Sequence, residues 1–350
     1  MNLPKNNRLI HLPLKALLLL LIAVCSSCSL GEGEFLDSAR SVIYVCGQYN
    51  LRACYWKVDD GHSVRVDLTT PLGTATEAKS LFMDGDDVYV AGYYYYAINK
   101  PCYWKNGQFI DLYPPSANGE CKANSIYVHN GTPYIAGYYY SSGIYNACYW
   151  VRNNPPIVLA SGASGTQVLA ILAEGNNIHA VYTNPGANLY YWKNGSSTPI
   201  LSGMTSFDTA RMVFRDNSLH IGILYKNGTY FIQYWINGTL FPWIESDAGP
   251  KPIGFDLYRG DIHISYTDSS NRGVQWSRSS QIASQLGLPS PSCASAIKHA
   301  GSSRYIAGAH TNNYIPYLSK DGVVIPLDNM GSAVVTINDI ALGPKSSLSE

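Results

Sequence analysis

The sequence is poor in charge. Lys and Arg number 24, Asp and Glu also number 24, and charged residues make up only 14% of the 350 residues, with a formal net charge of zero. A protein that binds nucleic acid through its phosphates needs a surplus of basic residues, and disordered chains are typically rich in charge. The composition therefore argues against both classes. With 46% hydrophobic residues, the chain can form one large domain or two ordinary ones around a substantial core.

The apolar run near the N-terminus is too short to cross a membrane. Residues 16–24 (ALLLLLIAV) are nine residues long, whereas a transmembrane helix needs about 20. The run follows three basic residues and is followed by Cys25-Ser-Ser-Cys28, which is the arrangement of an export signal. Loss of this segment would leave 21 basic and 24 acidic residues, a net charge of −3.

The segment around Cys28 resembles a bacterial lipobox, because small residues, Ser26 and Ser27, precede the cysteine. The resemblance implies a signal peptide over residues 1–27, lipidation of Cys28 and a short tether over residues 28–37. Cys25 fits less well, since the bulky Val24 precedes it. An ordinary signal peptide or an uncleaved anchor are the alternatives. The implied location is the bacterial cell envelope, periplasmic or surface-exposed, and Ser29 after the cysteine favours the outer membrane.

A unit of about 45 residues recurs along the rest of the chain. Residues 88–92 (VYVAG) return as IYVCG at 43–47 and PYIAG at 133–137, each followed by Cys-Tyr-Trp. The Trp position then continues to a seventh copy, with successive spacings of 41 to 48 residues: Trp56, Trp104, Trp150, Trp192, Trp235, Trp276 and Leu318. A fixed period of this length is typical of repeat architectures.

Each unit contains four short strand patterns separated by turns. The pair Asn106-Gly107 lies between two apolar runs, where both residues tolerate the positive φ of a tight hairpin turn. The same turn recurs as Asn194-Gly195, Asn237-Gly238 and Asp321-Gly322. The unit is therefore predicted to be a four-stranded antiparallel meander, the size of one propeller blade.

The two ends of the chain predict how the repeats close. The first unit starts at its second strand, while residues 334–342 (VVTINDIAL) match the first-strand pattern of the other units after the seventh unit has ended. We therefore predict an all-β, seven-bladed β-propeller over residues 38–343, closed by a C-terminal strand that completes the first blade, with a tail over residues 344–350.

These repeats resemble the β-propeller superfamily, and bacterial propeller lipoproteins in particular. The chain has no Trp-Asp dipeptide, no kelch Gly-Gly pair and no Asp-box motif. The resemblance implies either a binding scaffold or an enzyme, because propellers serve as both.

Repeat alignment gives structural roles to several reactive residues. His179, His220 and His263 occupy the position held by Tyr44 and Tyr89 in other units, so we predict no metal site there. Buried packing is likewise expected for Cys102 and Cys148. Cys46 and Cys54 lie on two strands of one predicted hairpin, where symmetric pairing would place them opposite each other as a possible disulfide.

Tyrosines that the repeat does not require are concentrated in loops of the first three blades. Tyr combines a flat apolar ring with a hydroxyl, which suits a protein partner or a glycan. Strand alternation also allows alternate tyrosines to continue into the core. The candidate binding residues on this predicted rim are Tyr49, Arg52, Tyr94, Tyr95, Tyr96, Tyr139, Tyr140, Tyr145, His310 and Tyr314.

The expected function is a lipid-anchored, extracytoplasmic, monomeric scaffold for protein–protein interaction, with no catalytic residues, cofactor or nucleic-acid partner predicted. The alternative is a carbohydrate-binding or carbohydrate-active propeller, a hydrolase or lyase, with its site at the central channel. No pair of acids stands out among the first-strand residues expected beside the axis: Glu77, Lys79, Glu120, Lys122, Asp208, Arg211, Lys298 and Asp339.

Overall fold

The computed structural model describes residues 41–71, 75–112, 119–242, 244–246, 252–288, 291–310, 315–328 and 334–345. The predicted signal peptide, Cys28, the tether and Tyr314 lie outside these residues. Every regular element within them is a β-strand. None of these ranges contains a helix with the length and apolarity needed to span a membrane.

The strands form seven antiparallel sheets. In the first three, from the inner strand outward, the strands are β29 (Val335–Pro344), β1 (Ser41–Tyr49), β2 (Arg52–Asp59) and β3 (His62–Asp67); β4 (Ala75–Asp84), β5 (Asp87–Tyr96), β6 (Ile98–Lys105) and β7 (Gln108–Asp111); and β8 (Cys121–His129), β9 (Thr132–Ser141), β10 (Ile144–Val151) and β11 (Ile157–Gly162).

The fourth and fifth sheets contain β12 (Gln167–Glu174), β13 (Asn177–Asn184), β14 (Asn188–Lys193) and β15 (Ser196–Leu201); and β16 (Ser206–Arg215), β17 (Ser218–Asn227), β18 (Thr229–Ile236) and β19 (Thr239–Leu240), with β20 (Ile244–Ser246) also on β18. The last two contain β21 (Gly254–Tyr258), β22 (Asp261–Thr267), β23 (Gly273–Ser277) and β24 (Ala283–Gln285); and β25 (Ser292–Ala300), β26 (Ser303–His310), β27 (Pro316–Lys320) and β28 (Val323–Pro326).

The sheets are arranged in a closed ring. Each inner strand contacts the inner strands of both neighbouring sheets, in the order β29, β4, β8, β12, β16, β21, β25 and back to β29. The protein is therefore a seven-bladed β-propeller, as the repeat predicted. Closure by the C-terminal strand is confirmed as well, because β29 pairs antiparallel with β1 from Ser41–Pro344 to Tyr49–Val335.

The Asn-Gly turns form as predicted, and their side chains explain why Asn or Asp is needed. At Asn106-Gly107 both φ angles are positive, 51° and 79°. The Asn106 side-chain oxygen accepts a 2.8 Å hydrogen bond from the Val88 amide, at the start of the neighbouring strand. Three other turns have the equivalent bond, in which the turn side chain accepts from a backbone amide: Asn194 from Ile178, Asn237 from Leu219, and Asp321 from Arg304.

The repeated Trp residues pack the blades together. Trp56, Trp104 and Trp150 have no exposed surface. The indole of Trp104 donates a 2.9 Å hydrogen bond to the carbonyl oxygen of Thr69 in the preceding blade. The indole of Trp56 likewise donates to the carbonyl oxygen of Asp328, across the point where the ring closes. Each of these two Trp residues therefore contributes apolar burial and one directional bond between blades.

The predicted pairing of Cys46 with Cys54 is wrong. The register places Cys46 opposite Tyr55 and Cys54 opposite Gly47, one position out of step. Successive residues of a strand point to opposite faces, so the two cysteines lie on opposite sides of the first sheet. Cys46 packs in the core shared with the second blade and Cys54 in the core shared with the seventh. Both are buried free thiols.

Candidate functional site

The inner strands carry β-bulges at matching positions. Six of the seven inner strands, within the described residues, have one residue that is skipped in the pairing with the second strand. Such a residue is left out of the inter-strand hydrogen bonding, and its side chain points in a different direction from that of a regularly paired residue. The skipped residues are Lys79, Asn124, Leu169, Asp208, Ser295 and Asn338.

A close backbone carbonyl oxygen explains the glycine of the VYVAG repeat. A Cβ on Gly92 would lie 1.9 Å from the carbonyl oxygen of Glu77, which the bulge at Lys79 brings against the second strand. The equivalent glycines are equally crowded by backbone carbonyl oxygens: Gly47, Gly137 and Gly308. The fourth and fifth blades have the bulge with Tyr182 and Tyr225 at this position, so the bulge alone does not require glycine.

The re-aimed side chains meet in a cavity of about 340 Å³ at the axis, which we call the axial cavity. Five of the six skipped residues line it. Its volume lies within the range of small-molecule sites. The described lining residues are Lys79, Tyr93, Lys122, Asn124, Tyr138, Gln167, Leu169, Asp208, Thr209, Arg211, Pro252 and Asn338.

The two cavity lysines are each balanced by a glutamate on the same strand or just before it. Lys79 lies 3.1 Å from Glu77, and Lys122 lies 3.1 Å from Glu120. Burial acts to raise the pKa of Glu77, but Lys79 and hydrogen bonds from neighbouring side chains outweigh burial and leave the pKa lowered. Burial also opposes ionisation of Glu120, but hydrogen bonds from Asn99 and Lys122 outweigh it and leave the pKa of Glu120 lowered. Both glutamates are therefore held ionised and already paired.

Arg211 and Asp208 differ from these pairs. The Arg211 guanidinium donates a hydrogen bond to the backbone carbonyl oxygen of Asn338. No carboxylate of the described residues lies within 4.0 Å of this guanidinium. Burial raises the pKa of Asp208, against the opposing charge of Lys226. The cavity therefore contains one cation without a matched acid and one carboxyl group that is less readily ionised than usual.

A second cavity, of about 210 Å³, adjoins the first at the third and fourth blades. Lys122, Tyr138 and Gln167 line both cavities. The second cavity also contacts Tyr145 and the connection into β12. It therefore lies on the face that carries the blade connections and the turns between second and third strands, which we call the upper face.

The predicted tyrosines of the second blade divide between the surface and the core. Tyr95 and Tyr96 are 47% and 54% exposed, at a turn in which Ala97 has a φ of 61°. Tyr94 is 2% exposed, packs in the core, and its hydroxyl lies 3.2 Å from Asp111. A partner on the upper face would therefore reach Tyr95 and Tyr96 but not Tyr94.

The other predicted rim residues are mostly half-buried. Tyr139, Tyr140 and Tyr145 belong to the third blade, where the rings of Tyr140 and Tyr145 are 4.9 Å apart. Tyr49 is covered by the guanidinium of Arg65 at 3.9 Å. Arg52 is exposed, and His310 is half-buried with its ring 5.4 Å from that of Tyr317.

Sequence reasoning missed four exposed apolar side chains on this face, one of which, Ile315 before the third strand of the seventh blade, is 36% exposed. The other three, Leu51, Ile144 and Val334, are 58%, 46% and 53% exposed, and they lie at turns or at the start of an inner strand in the first and third blades. Leu51 was detectable, because a large apolar residue at a turn tip between Asn50 and Arg52 has no packing role in the repeat. Blades four to six add no exposed large apolar residue to this face within the described ranges.

Strand register confirms that the histidines occupy the repeat position that tyrosine holds in other blades. His179 pairs with Lys193 on its third strand, as Tyr89 pairs with Lys105. The His179 ring nitrogen lies 2.7 Å from the Tyr191 hydroxyl, and burial lowers the pKa of His179 to about 4. Burial also lowers the pKa of His220 and of His263. These residues fill equivalent packing positions between blades.

Comparison with known proteins supports the fold alone. No protein-family model and no curated protein sequence matches the chain. Among solved structures, it is similar to a putative 6-phosphogluconolactonase from Bacteroides uniformis, with 11% identity, a TM-score of 0.51 and coverage of 87% of this chain and 99% of that one. The class that fold and cavity define is a seven-bladed propeller with an axial pocket.

Two further structures show weaker similarity. YCF48 bound to D1 peptide has 12% identity and a TM-score of 0.47, over 78% of this chain and 92% of that one. A prolyl endopeptidase has 10% identity and a TM-score of 0.47, and the match covers 87% of this chain but only 50% of that protein. At these identities the matches do not indicate a ligand or a reaction.

Proposed function

We propose that the protein is a binding scaffold that holds a protein partner on its upper face and is anchored to the bacterial cell envelope by a lipid on Cys28. The observation that carries this proposal is a group of exposed side chains that differs from the set predicted from sequence. From here on, the name rim means only these residues: Leu51, Tyr95, Tyr96, Ile144 and Val334. The propeller fold is compatible with such a role.

The rim has the chemistry of an interaction surface. Exposed apolar side chains scattered singly are normal, whereas several on one face mark a contact site. Tyr95 and Tyr96 present large rings on a short turn, and aromatic anchors of this kind dominate the binding energy of many interfaces. Neither ring is required for the core, because the neighbouring Tyr94 already fills the blade interface.

Replacing both exposed tyrosines, Tyr95→Ser with Tyr96→Ser, is expected to weaken partner capture at least about tenfold, because loss of an aromatic anchor costs about 2 kcal/mol or more. The melting temperature should stay within about 3 °C of the wild type, since both side chains are surface residues. Capture from a cell-envelope extract, followed by quantification of the bound protein, measures the effect.

The matched control is Val323→Ser with Val324→Ser. These side chains are 69% and 36% exposed on the outer strand of the seventh blade, away from the rim. Capture by this variant should equal that of the wild type. Equal capture by the tyrosine variant and the wild type would remove the rim from the proposal.

The axial cavity favours a second candidate function, binding of a carbohydrate at the central channel. Its lining combines amides, tyrosine hydroxyls and charged groups, which together match a ligand with many hydroxyls. Asp208 is the sole carboxylate among the described residues that line the axial cavity, and Glu120 in the adjoining cavity is already paired with Lys122 at 3.1 Å, whereas glycoside hydrolysis normally uses two carboxyl groups. The observation therefore favours carbohydrate binding over hydrolysis.

A further inference from the structure

We propose that the axial cavity binds a carboxylated sugar, with the sugar carboxylate held by Arg211 and its hydroxyl groups by the amides of Asn124 and Gln167. This inference rests on the second candidate function and is independent of the rim.

Among the cations of the axial cavity, Arg211 is the one that can pair with an anionic ligand. Lys79 and Lys122 are matched by Glu77 and Glu120 at 3.1 Å each. Arg211 has only a carbonyl oxygen, that of Asn338, among its described partners. A guanidinium presents five donors in a planar fork that fits a carboxylate with two parallel hydrogen bonds.

Asp208 is compatible with an acidic ligand in the same cavity. Because burial raises its pKa, its carboxyl group gives up its charge more readily than an exposed one when an anion approaches. In its protonated form it can donate to a ligand oxygen, and in its ionised form it can accept from a sugar hydroxyl. Either form supplies a hydrogen bond to a polyhydroxyl ligand.

The side-chain amides of Asn124 and Gln167 offer a ligand one hydrogen-bond acceptor and one donor next to each other. The side-chain nitrogen of Asn124 donates to the Gln167 side-chain oxygen at 3.0 Å and to the Val168 carbonyl oxygen at 2.9 Å. This bond fixes both amides, and it leaves the Asn124 oxygen and the Gln167 nitrogen without a partner among the described residues. Adjacent hydroxyl groups of a sugar both donate and accept, so they complement such a pair.

The shape of the site also favours a sugar over a small anion. The axial cavity adjoins the second cavity through Lys122, Tyr138 and Gln167, and together they extend from the axis to the upper face. Ser164, Thr166 and Glu120, which is paired with Lys122, line the outer part. A ligand of more than one sugar unit would therefore place its carboxylate at the axis and further hydroxyl groups in the outer cavity.

Isothermal titration with D-glucuronate and digalacturonate tests the inference, with D-glucose and N-acetylglutamate amide as comparisons. Both uronates should bind at least about tenfold more tightly than glucose, because a charge-assisted pair contributes about 1.5–3 kcal/mol. N-acetylglutamate amide, which has the carboxylate but no sugar ring, should also bind at least about tenfold more weakly than the uronates, since it cannot reach the amides with hydroxyl groups. Absence of uronate binding, or equal binding of either comparison compound, would overturn the proposal.

Variants locate the site. Arg211→Gln should weaken uronate binding at least about tenfold, and Arg211→Lys, which keeps the charge without the planar fork, should give an intermediate loss. If Arg211→Gln does not fold, Gln167→Leu provides the second test, because it removes the free amide donor. Uronate affinity that is unchanged in a folded variant of either residue would refute the assignment.

The rim variant separates the two functions. Tyr95→Ser with Tyr96→Ser should keep uronate affinity within about twofold of wild type, because neither side chain lines the axial cavity. Loss of uronate binding in this variant would contradict an independent axial site. Failure of partner capture with uronate binding intact would affect only the rim proposal.

Discussion

A chain that ends after Asp328 is expected not to fold cooperatively, because it lacks β29. This strand forms the inner strand of the first blade, and Val335, Ile337 and Ile340 are each no more than 3% exposed. Burial of three such side chains contributes about 5–9 kcal/mol, which is comparable to the whole stability of a typical domain. Its loss would also expose the full edge of β1, a site for aggregation.

Circular dichroism and thermal unfolding measure this effect. The control is a chain that ends at Lys345, which keeps β29 and the ion pairs of Lys345 with Asp59 and Asp60, and its melting temperature should match that of the wild type. Adding a synthetic peptide of residues 334–345 to the shortened chain should restore a cooperative transition. A shortened chain with a wild-type melting transition would show that ring closure is not needed for stability.

Gly92→Ala is expected to destabilise the fold by about 3 kcal/mol, a large effect for the addition of one methyl group. The new Cβ would lie 1.9 Å from the Glu77 carbonyl oxygen and 2.9 Å from its carbonyl carbon, both of them backbone atoms. Relief would require β4 and β5 to separate at the bulge, which is the kind of backbone shift that overpacking causes. The shift in the urea midpoint measures the loss.

Gly85→Asn is the matched control, at the turn that joins the same two strands. Gly85 has a φ of 57°, a Cβ added there would meet nothing within 4 Å, and Asn tolerates this left-handed conformation. The cost of this substitution should stay below about 1 kcal/mol. If Gly92→Ala were no more destabilising than this control, the close carbonyl would not be the reason for the repeated glycine.

The fold was predictable because its determinants are local and repeated. The Asn-Gly turns, the Trp position and the apolar strands recur with a nearly constant period, so each unit reports the same hairpins several times. Ring closure was predictable from the match of residues 334–342 to the first-strand pattern. The structure confirms all of these features.

The axial cavity was only partly predictable. Lys79, Lys122, Asp208 and Arg211 were expected near the axis and they line it, but Asn124, Gln167 and Asn338 were not identified. A bulge depends on how two strands pair, which the strand patterns do not encode directly. The single local signal was the glycine of VYVAG, whose reason becomes visible only with the facing carbonyl oxygen in place.

Strand register explains why the predictions for the cysteine pair and for Tyr94 differ from the structure. A shift of one residue moves a side chain to the opposite face of a sheet. Cys46 and Cys54 are one position out of step and therefore lie on opposite sides of their sheet. The same alternation places Tyr94 in the core and leaves its neighbour Tyr95 exposed, so a loop rich in tyrosine divides into packing and surface residues.

Photo-crosslinking in cells that make the protein tests most directly the central claim that the rim holds a protein partner. A photoreactive amino acid at position 96, on the rim, is compared with one at position 323, which is 69% exposed on the outer strand β28. We expect one discrete crosslinked partner from position 96 and none from position 323. A partner that crosslinks from position 323 alone, or equally from both, would contradict a partner site at the rim.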